Sequence, residues 1–331
     1  MLKKIAIALV SLTCLSSYAK EIRVGVSLPT QRDIGWVRYR EAFEDAAKKQ
    51  HVTLFMQVAD QNPAEQVSQV ENLLSQKIDV LIIAPQDASA ASSLVKEAHK
   101  AGIKVICIDR LIMNSKVDMY VAFDNVKIGA LQGEYLTKIV PNGNYILLSG
   151  APTDNNSKML KKGNMEYVGP LVKNGHIKVV MDQFINDWQP SDAERLVENA
   201  LTANKNNVQA VLAPNDNTAG GVIQALAAQK LAGKVIVTGQ DAEVTAAQRI
   251  LAGTQAMTIF KDQRKLSDLA LQTAISFAEN KPVPTKFTTN NGKTEVPSLL
   301  LTPVVVDKKN IDAQLIKTGY LKKEDVYRFK R

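Results

Sequence analysis

Cysteine and histidine are nearly missing from this chain, with two Cys and three His among 331 residues. The two cysteines, Cys14 and Cys107, lie far apart, so no disulfide framework can form, and no Cys/His cluster has the spacing of a metal site. His51, His99 and His176 are scattered through helix-like or loop text and read as surface residues. Catalytic signatures are also missing. There is no GxxxxGK[ST] loop to cradle phosphates, no GxGxxG after a first strand, no GxSxG elbow and no HExxH. Asp and Glu are frequent, but nothing marks two of them as an acid/base couple. The residues therefore speak against an enzyme, and they imply no cofactor and no metal. Beyond the N-terminus no apolar run approaches the ~20 residues of a membrane-spanning helix. Lys and Arg outnumber Asp and Glu by 41 to 33, a formal net charge of +8. These cations are dispersed rather than gathered in a stripe, which gives nucleic acid nothing to follow. No repeat of solenoid length is visible.

The N-terminus carries targeting information. Met1-Leu-Lys-Lys4 is a basic start, Ile5–Leu15 is mostly apolar, and Ser17-Tyr-Ala19 places small residues before a cut at Lys20. Residues 1–19 thus read as a signal peptide for export to the periplasm. Cys14 raises a lipoprotein reading, but Ser11-Leu-Thr13 suits lipid attachment poorly. Cys107, within an apolar strand-like run, reads as inert core.

After residue 19, short β-branched runs alternate with amphipathic stretches. The runs predict strands over Ile22–Ser27, Val52–Val58, Val80–Ile83, Lys104–Ile108, Met119–Ala122, Tyr145–Ser149, Ile177–Met181, Ala210–Ala213, Lys234–Thr238 and Ala256–Ile259. Most are apolar nearly throughout, as strands covered on both faces are. Asn62 and Pro63 predict a helix start, with Val67, Val70, Leu73 and Leu74 on its inner face. Ser191 and Glu194 predict a capping box. Leu266, Leu269, Ala270 and Phe277 line another helix. Repeated strand–helix–strand text predicts an α/β fold of two doubly wound parallel-sheet lobes. The chain crosses between them near Phe123-Asp-Asn125, near Phe260-Lys261 and within Val296–Val306. One lobe takes residues 20–124 plus 264–301, the other 125–263 plus 302–331, joined by a multi-strand hinge.

In open parallel sheets, ligands bind beyond the carboxyl ends of the strands. Polar residues follow strand after strand: Asp109 and Arg110, then Asp154 and Asn156, Asn215 and Asp216, Gln240 and Asp241, and Lys261. Their side chains supply paired donors and acceptors that suit sugar hydroxyls. Trp36 and Trp188 each follow a strand, one per lobe, and could sandwich a flat ring. Plainer roles stand beside these. Asp154, Asn215 and Asp216 could cap helices, Asp109 and Arg110 could pair locally, Lys261 could be a solvated hinge lysine, and the tryptophans could be ordinary packing.

Several segments resemble one family. They include Arg23-Val-Gly-Val-Ser-Leu-Pro-Thr-Gln-Arg32, Gln69-Val-Glu-Asn72, Ile108-Asp-Arg-Leu111, Phe123-Asp-Asn125, Asp154-Asn-Asn156, Asn215-Asp-Asn-Thr-Ala-Gly-Gly221, Gly239-Gln-Asp-Ala242, Ala252-Gly-Thr-Gln255 and Leu300-Leu-Thr-Pro303. Over nearly all of Lys20–Tyr327 the chain resembles the periplasmic sugar-binding proteins of the type I fold that serve ABC importers, in their xylose-binding branch. The resemblance implies capture of a monosaccharide, D-xylose or a related aldose, and its delivery by a monomer to a membrane permease. It further implies that Trp36 and Trp188 clamp the pyranose while Asp109, Arg110, Asn156, Asn215, Asp216, Asp241 and Lys261 form its hydrogen-bonding shell. One position departs. Gly35 stands immediately before Trp36, where xylose-binding members carry an Arg that helps hold the sugar, and Arg32 or Arg38 would have to reach in instead. The rival readings are a sugar sensor for a chemoreceptor or sensor kinase, a secreted carbohydrate-active α/β enzyme, and a repressor of related fold. The repressor would need a helix-turn-helix where the signal peptide lies.

Overall fold

The computed structural model describes residues 21–328. The signal peptide expected over residues 1–19, Cys14 included, lies outside the described residues.

The chain first builds one β/α series. Its elements are β1 (Arg23–Leu28), α1 (Ile34–Gln50), β2 (Thr53–Val58), α2 (Pro63–Ser75), β3 (Val80–Ile83), α3 (Ser92–Lys100), β4 (Lys104–Ile108) and β5 (Met119–Phe123). A second series follows: α4 (Asn125–Ile139), β6 (Gly143–Ser149), α5 (Asn155–Lys173), β7 (Ile177–Phe184), α6 (Pro190–Ala203), β8 (Ala210–Leu212), α7 (Asp216–Ala228), β9 (Ile236–Val237), α8 (Val244–Ala252) and β10 (Met257–Phe260). The chain then returns through α9 (Gln263–Ala278), β11 (Phe287–Asn290) and β12 (Glu295–Leu301), and ends with β13 (Val304–Asp307) and α10 (Lys323–Val326).

Strand pairing sorts these elements into two lobes. The first sheet runs β11-β12-β5-β4-β3-β1-β2 and is parallel except for the β11–β12 hairpin. The second runs β7-β6-β8-β9, all parallel. Strands β10 and β13 pair antiparallel as a separate ribbon. The chain passes between lobes after β5, between β10 and α9, and between β12 and β13. Each first-sheet central strand is covered on both faces: Val24, Val26, Ile82, Ile106 and Val121 face α1 and α9, while Leu81, Ile83, Val105 and Tyr120 face α2 and α3. Double-sided burial is why these strands read as near-continuous apolar runs.

Local signals behave as their chemistry dictates, with two exceptions. Asn62 caps α2 by accepting from Ala64 N and Glu65 N, with Pro63 in the first turn. The capping box expected at Ser191 does not form. Helix α6 starts at Pro190, with Gln189 as an N-cap lacking a side-chain bond. Proline's fixed φ suits the first helical position, and so the helix begins one residue ahead of Ser191. Strand β11 was not among the expected runs. Its sequence is FTTN and it is mostly exposed at the sheet edge, where burial leaves no apolar pattern. Cys107 is fully buried and its thiol is pushed up to about 12 by burial, so it is inert. All three histidines lie at the surface.

Candidate functional site

A cavity of about 210 Å³ lies between the lobes and is lined from both. The first lobe contributes Thr30, Arg32, Asp33, Gly35, Trp36, Tyr39, Gln61, Gln86, Asp109 and Arg110. The second contributes Asp154, Asn156, Leu160, Asp187, Trp188, Asn215, Asn217, Gln240 and Asp241, and Lys261 enters from the crossing after β10. These positions follow from topology, because the loops at the carboxyl ends of parallel strands open toward the crevice.

The polar wall is built around Asp109, at the tip of β4. Its Oδ2 accepts from Tyr39 Oη at 2.9 Å, and Asn156 Nδ2 donates to its Oδ1 at 3.1 Å from the other lobe. Lys261 Nζ lies 3.0 Å from Asp241 and 3.6 Å from Asp109. Burial works against the Lys261 ammonium, but Asp109 and Asp241 outweigh it and hold the pKa well above the usual lysine value. Arg110 Nε pairs with Asp154 at 2.8 Å, and its guanidinium also lies 5.2 Å over the Trp36 ring. Burial raises the Asp154 pKa, opposed chiefly by Arg110. Thus Asp109 and Arg110 do not pair with each other. Each engages the opposite lobe or the hinge. Lys261 is only 6% exposed and is not a solvated lysine.

Both tryptophans reach this space. Trp36, on the first turn of α1, is buried with its ring centroid 5.1 Å from that of Tyr39. Trp188 is half-buried and packs against the hydrophobic cluster that contains Trp36 and Leu160. Its indole lies over Gly150, where a Cβ would sit 2.1 Å from the ring, so only glycine leaves room. Part of the chain's backbone strain lies around the same cavity. Asp109, Asp187, Trp188, Asp241 and Ala242 all have positive φ, between 47° and 102°. Non-glycine residues in that region typically cost ~1–3 kcal/mol each and cluster at functional sites.

Of the residues singled out in the sequence, Trp36, Asp109, Arg110, Asn156, Trp188, Asn215, Asp241 and Lys261 come together at this cavity, and Arg32 reaches its rim. The Arg32 side chain is largely exposed and is held by Asp60 through two bonds of 2.7 and 2.9 Å. Arg38 does not line the cavity; it bonds Tyr320 Oη at 2.9 Å. Asn156 lines it, but with Nδ2 on Asp109 and Oδ1 accepting from Asn125 it holds Asp109 in place. Asp154 and Asn215 both cap helices and face the cavity.

Asp216, expected in the hydrogen-bonding shell, does not line the cavity. It is fully buried behind the wall, where its carboxylate accepts from Gln255 Nε2 at 2.7 Å, Thr258 Oγ1 at 2.8 Å and Glu243 N at 3.1 Å. As the first residue of α7 it turns away from the crevice, while Asn215, the N-cap, points in. Asp216 anchors the loop that carries Asp241.

Sequence reasoning missed Asp33, Gln86 and Asn217. Asp33 caps α1, Gln86 follows β3, and Asn217 sits in the first turn of α7. A strand-tip rule applied to β1 and β3 would have found the first two. Two lining residues keep an unpartnered buried polar atom, Oε1 of Gln240 and Nε1 of Trp188. Such atoms are costly unless a ligand or water meets them.

The lobes are closed on one another. Thr153 O accepts from Ala88 N at 3.0 Å, and Gln61 bridges the mouth toward Gln189 at 3.4 Å and Asp187 O at 3.5 Å. Among the described residues no group of three or more His, Cys, Asp or Glu is placed to hold a metal, and no helix is long and apolar enough to cross a membrane.

Two α/β lobes, three crossings and a cavity shared between strand tips define a hinged small-molecule binding protein. Comparison with known proteins places it further. Residues 24–282 match the family model described as periplasmic binding protein domain. The chain is 44% identical over 312 residues to the D-xylose-binding periplasmic protein of Haemophilus influenzae, spanning 94% of both chains. It is 43% identical over 315 residues to that of Escherichia coli, spanning 95% of this chain and 96% of the other. A carbohydrate transporter solute binding protein from Chloroflexus aurantiacus, solved in complex with D-glucose, superposes with a TM-score of 0.88 at 32% identity, covering 93% of this chain and 98% of its own. The chain belongs to the periplasmic binding proteins, with the type I fold of the sugar-binding members.

Proposed function

We propose that this protein captures a monosaccharide, D-xylose or a related aldose, between its lobes and delivers it to the permease of an ABC importer. One observation carries the reading: a single small cavity brings together a tryptophan from each lobe and a ring of carboxylates, amides, one lysine and one arginine. Apolar faces of a pyranose pack on the indoles, and its hydroxyls both donate to the carboxylates and accept from Lys261, Arg110 and Asn215. The contacts are complete only when the lobes meet, so ligand shifts the protein toward the closed form by its differential affinity for that form. Closure presents both lobe surfaces together to the permease, and no bond in the sugar is made or broken. The relatives' names support the sugar assignment, since two bind D-xylose and one structure holds D-glucose. The boundaries drawn at residues 124, 263 and 301 mark the two lobes, residues 1–19 direct export to the periplasm, and the protein acts as a monomer.

A thermal-shift screen against aldopentoses and aldohexoses tests this. A ligand that binds only the folded state raises the melting temperature with concentration. A shift with at least one aldose at millimolar concentration is the expected result. No shift with any of them, measured on protein freed of bound sugar by unfolding and refolding, would overturn the reading.

A further inference from the structure

We propose that Asp33, with the space left open by Gly35, forms a subsite for the hydroxymethyl group of an aldohexopyranose, so that this chain prefers D-glucose-like hexoses to D-xylose. The proposal rests on the sugar-capture reading and deepens it.

Three buried carboxylates at the cavity already have partners within the protein. Asp109 is met by Tyr39, Asn156 and Lys261, Asp154 by Arg110 and the Asn156 N–H, and Asp241 by Lys261. Asp33 is different. Its Oδ1 accepts from Gly35 N at 2.7 Å as the cap of α1, and no described residue donates to its Oδ2. Burial and then the nearby Asp241 push its pKa up, against the Gly35 N–H, Arg110 and Lys261. An uncommitted carboxylate oxygen can only accept, and so a donor that completes it must come from the ligand.

Beside it the wall is open. Apart from its chain neighbours, a Cβ at Gly35 would meet Asp33 Oδ1 at 3.0 Å and nothing else within 4 Å, and Gly35 itself lines the cavity. Room and an unmet acceptor coincide, which suits an exocyclic arm ending in O–H. D-xylose has no such arm. D-glucose has the same configuration at the shared ring carbons and adds one hydroxymethyl group at C5.

Calorimetry with these two sugars is therefore the test. A hydrogen bond to a charged group supports an expected preference of about tenfold or more for D-glucose in the unaltered protein. Asp33→Ser keeps a helix-capping oxygen. It is expected to weaken D-glucose about tenfold while moving D-xylose less than about twofold. Gly35→Val, which fills the corner although its Cβ would crowd the cap acceptor Asp33 Oδ1 at 3.0 Å, is expected to discriminate in the same direction. D-xylose binding as tightly as D-glucose would overturn this proposal and leave sugar capture standing. Equal losses for both sugars in both variants would do the same. Failure of both sugars, with other aldoses also silent, would instead remove the sugar-capture reading beneath it.

Discussion

Arg110 and Asp154 form a buried ion pair across the cleft, with Nε 2.8 Å from Oδ2 and both side chains at most 10% exposed. Arg110 follows β4 of the first lobe, and Asp154 caps α5 of the second. Their charges are satisfied in this way only when the lobes are closed, so the pair links closure to the shape of the site. Removing one partner of a buried pair commonly costs about 3–5 kcal/mol, because the other charge is left unpaired. Here the protein can avoid that cost by opening, which returns Arg110 to water.

Asp154→Asn keeps the cap on α5 and removes the charge. Sugar affinity is expected to fall at least about tenfold, with the ligand-free melting temperature nearly unchanged. Small-angle scattering should show that saturating sugar closes the variant less completely. Wild-type affinity with wild-type compaction would show that the pair does not govern closure.

Trp188 offers the aromatic surface of the second lobe and is held against Gly150 in a strained backbone, φ 58°. Trp188 is only half-buried and sits in a three-residue turn outside both sheets, so Trp188→Ala should fold. Loss of its contact with the sugar ring is expected to weaken binding by about tenfold or more. Calorimetry reads this directly, and an unchanged dissociation constant would remove Trp188 from the ligand site.

How much of this could be read in the sequence depends on how local each cause is. Strand tips were legible because strands buried on both faces are apolar up to the residue where the crevice begins, as Val105–Ile108 shows before Asp109. Which polar residue of a pair turns inward was less legible. Asn215 and Asp216 are adjacent, yet the helix start sends one to the cavity and the other behind its wall. Positive φ at Asp109, Trp188 and Asp241 aims these side chains, and no glycine marks those positions. Asp60, which holds Arg32 at the rim, is 28 residues away from it, a pairing that only the fold creates.

Gly35→Arg reintroduces a guanidinium beside Asp33. The new side chain would occupy the open corner, pair with the uncommitted carboxylate oxygen and present donors to the ring. D-xylose is expected to bind more tightly and D-glucose less tightly than in the unaltered protein, with a combined change in their affinity ratio of tenfold or more, ~1.4 kcal/mol. Competition calorimetry gives that ratio. A shift of both sugars in the same direction would mean that the arginine acts on affinity alone and leaves the subsite intact.

The buried carboxylates of Asp216 and Glu243 predict a pH dependence of stability away from the sugar. Burial first, then the Asp216 carboxylate, pushes Glu243 up to about 8; its Oε1 has no partner and Oε2 accepts only from Thr245. Asp216 is also raised by burial, but three donors and Arg249 nearby favour its charged form, so the shared proton resides on Glu243. A glutamate whose folded pKa exceeds its ordinary value of 4.5 stabilises the fold fully below that value. The contribution is lost as pH rises toward 8, since the folded state must then give up a proton that it holds more tightly than the unfolded state does. Glu243→Gln mimics the neutral form at every pH. Its melting temperature should match the parent near pH 5 and exceed it increasingly up to pH 9, by a few degrees for about 1 kcal/mol. Parallel melting curves across that range would mean that Glu243 is ionised in the folded protein at neutral pH.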